Sequence, residues 1–123
     1  MRGMALTVEM VTIDCGDPRG LAEFWMKALG YETRSDFGGE YVRLSPPSDG
    51  HGPHLGLQRV SEPTVGKNRV HMDLVVPRGD RPAEVERLTG LGASVVEEHN
   101  IPGYAWTVLA DPEGTVFCVG APE

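Results

Sequence analysis

No apolar run in these 123 residues approaches the roughly 18 that a membrane-spanning helix needs. Glu9 interrupts any apolar core that a secretion signal would require near the start, so a cytoplasmic protein with no membrane partner is expected. Positive charge is also scarce: 11 Lys and Arg stand against 18 Asp and Glu, a formal net charge of −7. A nucleic-acid partner normally needs a basic face, so that class is set aside. Cysteine is nearly absent. Cys15 and Cys118 both sit in apolar, strand-like segments and read as reduced thiols. Sequence alone leaves a disulfide between them open. The glycines form no phosphate-binding loop, and no Ser-His-Asp order with elbow glycines occurs.

What is present fits one domain over residues 1–123. An apolar fraction of 40% with 24% charged residues is ordinary for a soluble fold. The chain is long enough to bury a core without disulfide or metal staples. Its central stretch, Lys67 to Val76, alternates apolar and polar residues as a half-buried strand does. Val70, Met72, Leu74 and Val76 are expected on one face, and Arg69, His71, Asp73 and Val75 on the other. A histidine and a carboxylate thus point the same way.

The rest of the chain places two similar runs of elements on either side of a connector at 61–66. Thr7 to Cys15 alternates and reads as a strand. Asp17 is a suitable N-cap and Pro18 a suitable first helical residue; Leu21, Phe24, Trp25, Ala28 and Leu29 follow at helical spacing, and Gly30 caps the end. Short strands are predicted over 31–34, 40–44 and 54–60, with a polar loop over 45–53. After the central strand, Gly79-Asp80-Arg81-Pro82 starts a helix over 83–91 that Gly92 ends. Strands over 93–97, 104–110 and 115–119 complete the second half, with turns over 100–103 and at Asp111-Pro112-Glu113-Gly114. Each half reads strand, helix, three strands, giving modules over 7–60 and 67–119. The repeat lies in the pattern and not in the wording.

A βαβββ unit used twice resembles the vicinal oxygen chelate superfamily of glyoxalases, extradiol dioxygenases, fosfomycin-resistance proteins and bleomycin-binding proteins. Three segments carry the resemblance: Asp17-Pro18 with Phe24-Trp25 and Leu29-Gly30-Tyr31, then Lys67 to Leu74, then Asp111 to Val119. They look like the glyoxalase-like branch. The resemblance implies an α+β fold, two βαβββ modules forming one cup-shaped mixed-sheet domain, and a homodimer. It also implies metal ligands on the first and last strand of each module. Met10 occupies the usual histidine position of the first strand, His71 matches the second module's histidine, and Cys118 falls where the last strand usually carries glutamate. The fourth position falls near Gln58 or Gly56. A thioether is a poor ligand for the ions the family favours. No metal cofactor is therefore expected, with His71, Cys118 and Gln58 the weak candidates for a divalent ion.

His71 can serve as ligand, base or hydrogen-bond donor, or simply bond to Asp73. Asp14 and Asp73 are expected on the same cup face, where they would attract a cation, form an acid–base pair, or bond to backbone amides. Tyr104 and Trp106 share a strand face and suit stacking against a flat or cationic ligand as well as core packing. Trp25 reads as core. His51 and His54 are assigned to a loop, exposed or lying over the cup mouth. The expected ligand-binding set is His71, Asp73, Asp14, Gln58, Tyr104 and Trp106, holding a small organic molecule. The alternative is a metal-dependent lyase, isomerase or dioxygenase using His71.

Overall fold

A computed structural model of the chain describes residues 5–48, 50–62, 66, 68–76 and 80–122. Lys67, Gly79 and the middle of the 61–66 connector lie outside the described residues. The chain divides into two compact units, Met1–Pro63 and Thr64–Glu123, each built as strand, helix, three strands.

In the first unit, β1 (Met10–Cys15) leads to α1 (Pro18–Leu29), then β2 (Glu32–Asp36), β3 (Tyr41–Ser45) and β4 (His54–Arg59). The sheet order is β1-β4-β3-β2, with β1 parallel to β4 and the other pairs antiparallel. Helix α1 starts where its sequence says it should. The Asp17 side chain accepts from the Gly20 amide at 3.2 Å, and Gly30 ends the helix in the left-handed conformation, φ 70°. Leu21, Phe24 and Trp25 of α1 are buried with Val42, Leu44, Leu55 and Leu57 of β3 and β4. The opposite face of the sheet carries Met10, Thr12, Asp14, Tyr41, Arg43, Gly56 and Gln58.

A surface clamp ties α1 to the β2–β3 turn. Arg19 donates to both carboxylate oxygens of Asp36, at 2.7 and 3.3 Å, and the Gly39 amide donates to the same group. The Arg19 guanidinium first, and the Gly39 amide second, hold the Asp36 carboxyl below its ordinary range. A depressed carboxyl contributes stability above its unfolded pKa and loses it as pH falls through its folded one. The acid limb of a stability-against-pH curve, measured below about pH 4, should therefore flatten in Asp36→Asn. An unchanged limb would show that the clamp carries no proton linkage.

In the second unit, β5 (Met72–Val75) precedes α2 (Arg81–Gly90), β6 (Ser94–Ile101), β7 (Tyr104–Ala110) and β8 (Val116–Pro122). The order β5-β8-β7-β6 and the parallel β5–β8 pair repeat the first unit. Asp80 caps α2 by accepting from the Ala83 amide at 2.9 Å. Val85 and Leu88 of the helix are buried with Leu109, Phe117 and Val119. Arg81 reaches from the helix start to the Thr107 hydroxyl at 2.5 Å and to Glu98 at 3.3 Å, pinning α2 to β6 and β7.

Several boundaries differ from the sequence expectation. The central strand covers only Met72–Val75, so His71 precedes it and Val70 is 75% exposed. Asn68 is the physical reason. Its side-chain amide donates to the carbonyls of Val70 and Val116 and accepts from the Val116 amide, replacing the ladder bonds a longer strand would make. From Met72 to Val76 the predicted alternation holds: Met72, Leu74 and Val76 are half-buried, Asp73 and Val75 exposed. β1 starts three residues later than expected, with Leu6 and Val8 exposed. β6 and β8 run past their expected ends, to Ile101 and Pro122, because each keeps pairing with β7. His54, assigned to a loop by one reading of the sequence, begins β4 beside Met10.

Candidate functional site

The second sheet's helix-free face carries a cleft of about 310 Å³, lined by Asp73, Leu74, Tyr104, Trp106, Cys118 and Gly120. Strand register explains the grouping. Asp73 on β5 lies beside Cys118 on β8, and Gly120 beside Trp106 on β7. Tyr104 shares Trp106's face two residues away, their ring centroids 6.2 Å apart. The Tyr104 ring and hydroxyl lie so close over Gly120 that a Cβ there would collide with both. The glycine is thus what lets the ring approach the strand this closely.

Next to this aromatic wall the polar groups converge. His71 Nδ1 lies 3.2 Å from Asp73 Oδ1. One donor atom each from His71, Asp73 and Cys118 falls within 4.8 Å of the others. Cys118 is buried, whereas the His71 and Asp73 side chains are 45% and 75% exposed. Burial first, and the neighbouring Asp73 carboxylate second, push the Cys118 thiol above its ordinary range. Neither cysteine takes part in a disulfide, so none joins Cys15 to Cys118.

The expected ligand-binding residues divide between the units. His71, Asp73, Tyr104 and Trp106 come together in the second. Asp14 and Gln58 are exposed neighbours on β1 and β4 of the first. His51 is exposed, and His54 accepts at Nδ1 from Arg43 Nε at 3.4 Å. The pairing puts His54, and not Gln58 or Gly56, directly beside Met10. By the same register, Met10 and His54 correspond to Asp73 and Cys118, so His71 stands one step outside the repeat.

Sequence reasoning missed two participants. His99 stacks on Trp106, centroids 5.1 Å apart and planes at 21°, and its Nε2 lies 3.3 Å from Glu97. A hairpin at Pro102-Gly103 would have placed it there, had β6 been drawn to its full length. Gly120 is the other, and an isolated glycine in an apolar strand was the available signal.

The first unit's matching face is filled by its own side chains. A Cβ at Gly56 would meet the Tyr41 hydroxyl at 2.6 Å, Thr12 Oγ1 at 2.9 Å and Met10 Sδ at 3.2 Å. Tyr41 donates to that thioether at 3.2 Å. Met10 is thus a hydrogen-bond acceptor with soft chemistry, and the four-ligand set implied for the first and last strands does not fit here. The His71, Asp73 and Cys118 donors, all of types that bind borderline divalent ions, do fit one.

The profile of the glyoxalase-like domain matches residues 10–120. The chain belongs to the glyoxalase-like domain family. With it comes the vicinal oxygen chelate superfamily, whose two βαβββ modules are the two units described above. Solved structures agree on this glyoxalase-like fold. A mutant of the fosfomycin resistance protein FosX from Listeria monocytogenes, crystallised with Mn(II) and 1S,2S-dihydroxypropylphosphonic acid, is similar with a TM-score of 0.76. The two are 12% identical over 95% of this chain and 90% of that one. A glyoxalase-related enzyme from Fulvimarina pelagi gives 0.73, at 17% identity over 95% and 88%. A glyoxalase/bleomycin resistance protein/dioxygenase family enzyme from Burkholderia phytofirmans PsJN gives 0.69, at 19% identity over 92% and 96%. At these identities the likeness is one of fold. No curated protein matches the chain. Among the described residues, no helix is long and apolar enough to cross a membrane.

Proposed function

We propose that this glyoxalase-like protein binds a small organic molecule in the second unit's cleft, against the Tyr104–Trp106 wall. The observation that carries this reading is the cleft's composition: two aromatic rings, a bare glycine backbone and a single carboxylate around about 310 Å³. That volume lies at the small end of ligand pockets, which run from roughly 300 to 1,000 Å³. Aromatic faces attract flat or cationic groups, and the Asp73 carboxylate adds a preference for a cation or a hydrogen-bond donor. His99, stacked behind Trp106, fixes the indole plane so that less freedom is lost on binding. The family resemblance suggests a homodimer, and the interrupted N-terminal apolar core and reduced cysteines suggest the cytoplasm as its setting.

A thermal-shift screen of small aromatic and cationic compounds tests the reading. A ligand at a hundredfold excess over its Kd should stabilise the protein by about 2.7 kcal/mol. Trp106→Ala should weaken each hit by at least about tenfold, or 1.4 kcal/mol. Hits that survive this change at full strength would place the binding surface elsewhere.

A second reading is favoured by the His71, Asp73 and Cys118 group: a metal-dependent lyase, isomerase or dioxygenase. A bound divalent ion would supply Lewis-acid polarisation of a substrate oxygen. The chain's own part would be to hold the ion with these three side chains and orient the substrate on Trp106.

A further inference from the structure

We infer that the second unit's cleft takes a small organic ammonium ion, and that two histidine–carboxylate pairs on its margins make protons compete with that ligand. The inference rests on the reading of the cleft as a ligand site and names the ligand's chemical class. It also gives a part to His99 and Glu97, which stand outside the cleft's lining.

The two pairs belong to opposite edges of the sheet, whose order is β5-β8-β7-β6. At the β5 edge, His71 Nδ1 lies 3.2 Å from Asp73 Oδ1. At the β6 edge, His99 Nε2 lies 3.3 Å from Glu97 Oε2. Between them, β7 and β8 supply the Trp106 indole, the Tyr104 ring and the bare Gly120 backbone. His99 covers one face of the indole, centroids 5.1 Å apart and planes at 21°, without lining the cleft. The indole's other side is therefore the one that fronts the cleft. An ammonium group set there meets the negative face of the ring and the Asp73 carboxylate together. Neither lysine nor arginine lines the space to oppose it. About 310 Å³, at roughly 30 Å³ per water, suits an ammonium head with a short chain or a single ring.

Electrostatics points the same way. After burial, Asp73 and then Glu97 push the Cys118 thiol up, so negative potential reaches the cleft floor from both margins. The ionisable groups on this face of the sheet are Asp73, Cys118, Tyr104, Glu97 and His99, with His71 beside Asp73. Arg81 and Glu98 lie on the helix side, around Thr107. Each imidazole opposes an ammonium ion only when protonated. A proton on His71 neutralises Asp73. A proton on His99 puts a cation against the indole's covered face, where it draws on the same ring electrons, with Glu97 as its partner. Ammonium affinity therefore rises with pH through the range of about 5 to 8 in which histidines change charge.

Phenyltrimethylammonium and choline are the probes, because their charge is fixed at every pH. Each is paired with the neutral isostere in which carbon replaces the ammonium nitrogen. Kd values are read by ligand-observed NMR on the full chain with chelator present. Near pH 8, each cation should bind at least about tenfold tighter than its isostere. Asp73→Asn should cut that preference about threefold and leave the isosteres unchanged. Between about pH 8 and pH 5 the cations should weaken at least about threefold, while the isosteres hold constant. His71→Gln combined with His99→Phe, which keeps a ring on the indole, should flatten that profile. The side chains of both pairs are at least 40% exposed, so these changes leave the core intact. Equal binding of cation and isostere, or a cation profile that stays pH-dependent in the double variant, would overturn the inference and leave the cleft reading standing. Failure of both cations to bind overturns it as well. Neutral aromatic hits that are lost in Trp106→Ala would then still uphold the cleft, and their absence would sink both.

Discussion

Trp25→Ala is expected to destabilise the protein by about 3–5 kcal/mol, as Trp-to-Ala changes in cores do. Trp25 has no exposed surface and meets Phe24 edge-on, centroids 5.0 Å apart and planes at 85°. The helix that carries it is the first unit's only cover for the apolar face of β3 and β4 among the described residues. Removing the indole therefore costs both its transfer free energy and a cavity that a single helix cannot easily collapse. Against a typical total of about 5–15 kcal/mol, that loss is large enough to lower the melting temperature by something on the order of 10 °C. Leu6→Ala is the control, because Leu6 is 98% exposed. Thermal denaturation followed by circular dichroism checks both. A Trp25→Ala loss below about 1 kcal/mol would mean that the α1 face repacks, contrary to the close packing expected of interiors.

The same helix shows why part of this fold is legible in the sequence. Asp17, Pro18 and Gly30 act within one or two turns of where they stand, so their meaning is local and readable. Tyr104 and Trp106 likewise share a face through strand parity alone. The misread elements are those decided at a distance. The central strand shrinks because Asn68 captures backbone groups of Val116, a contact across 48 positions that no periodicity reports. β6 runs to Ile101 because β7 pairs with it throughout, which hid the His99–Trp106 stack. Asp73 becomes Cys118's neighbour only through a parallel pairing of the first and last strands of the second unit. Parity gave its face correctly; register gave its partner.

The same register arrangement recurs inside each unit. Each sets a tyrosine over a glycine of its last strand: Tyr41 at Gly56 and Tyr104 at Gly120. In the first, Thr12 and Met10 close in around the hydroxyl. In the second, the corresponding β5 positions are Val75 and Asp73, both exposed, and the space stays open as a cleft. One architectural device thus yields a filled face in one unit and a ligand-sized one in the other.

Gly120→Val should consequently abolish ligand binding while leaving the protein folded. Its backbone is ordinary strand, which a β-branched residue adopts readily, so the conflict is with the Tyr104 side chain and not with the chain's conformation. Tyr104 is 36% exposed and can swing toward solvent, which relieves the overlap and removes one wall of the cleft. The expected stability change is therefore modest, about 1–2 kcal/mol, against a loss of binding too large for a thermal shift to register. A double-mutant cycle isolates the cause. Gly120→Ala should be costly beside Tyr104 and nearly neutral in a Tyr104→Ala background, because the collision partner is gone, giving a coupling of at least about 0.5 kcal/mol. Additive effects would show that Tyr104 does not rest on Gly120 in solution. Binding that persists in Gly120→Val would show that the Tyr104 wall is not where the ligand sits.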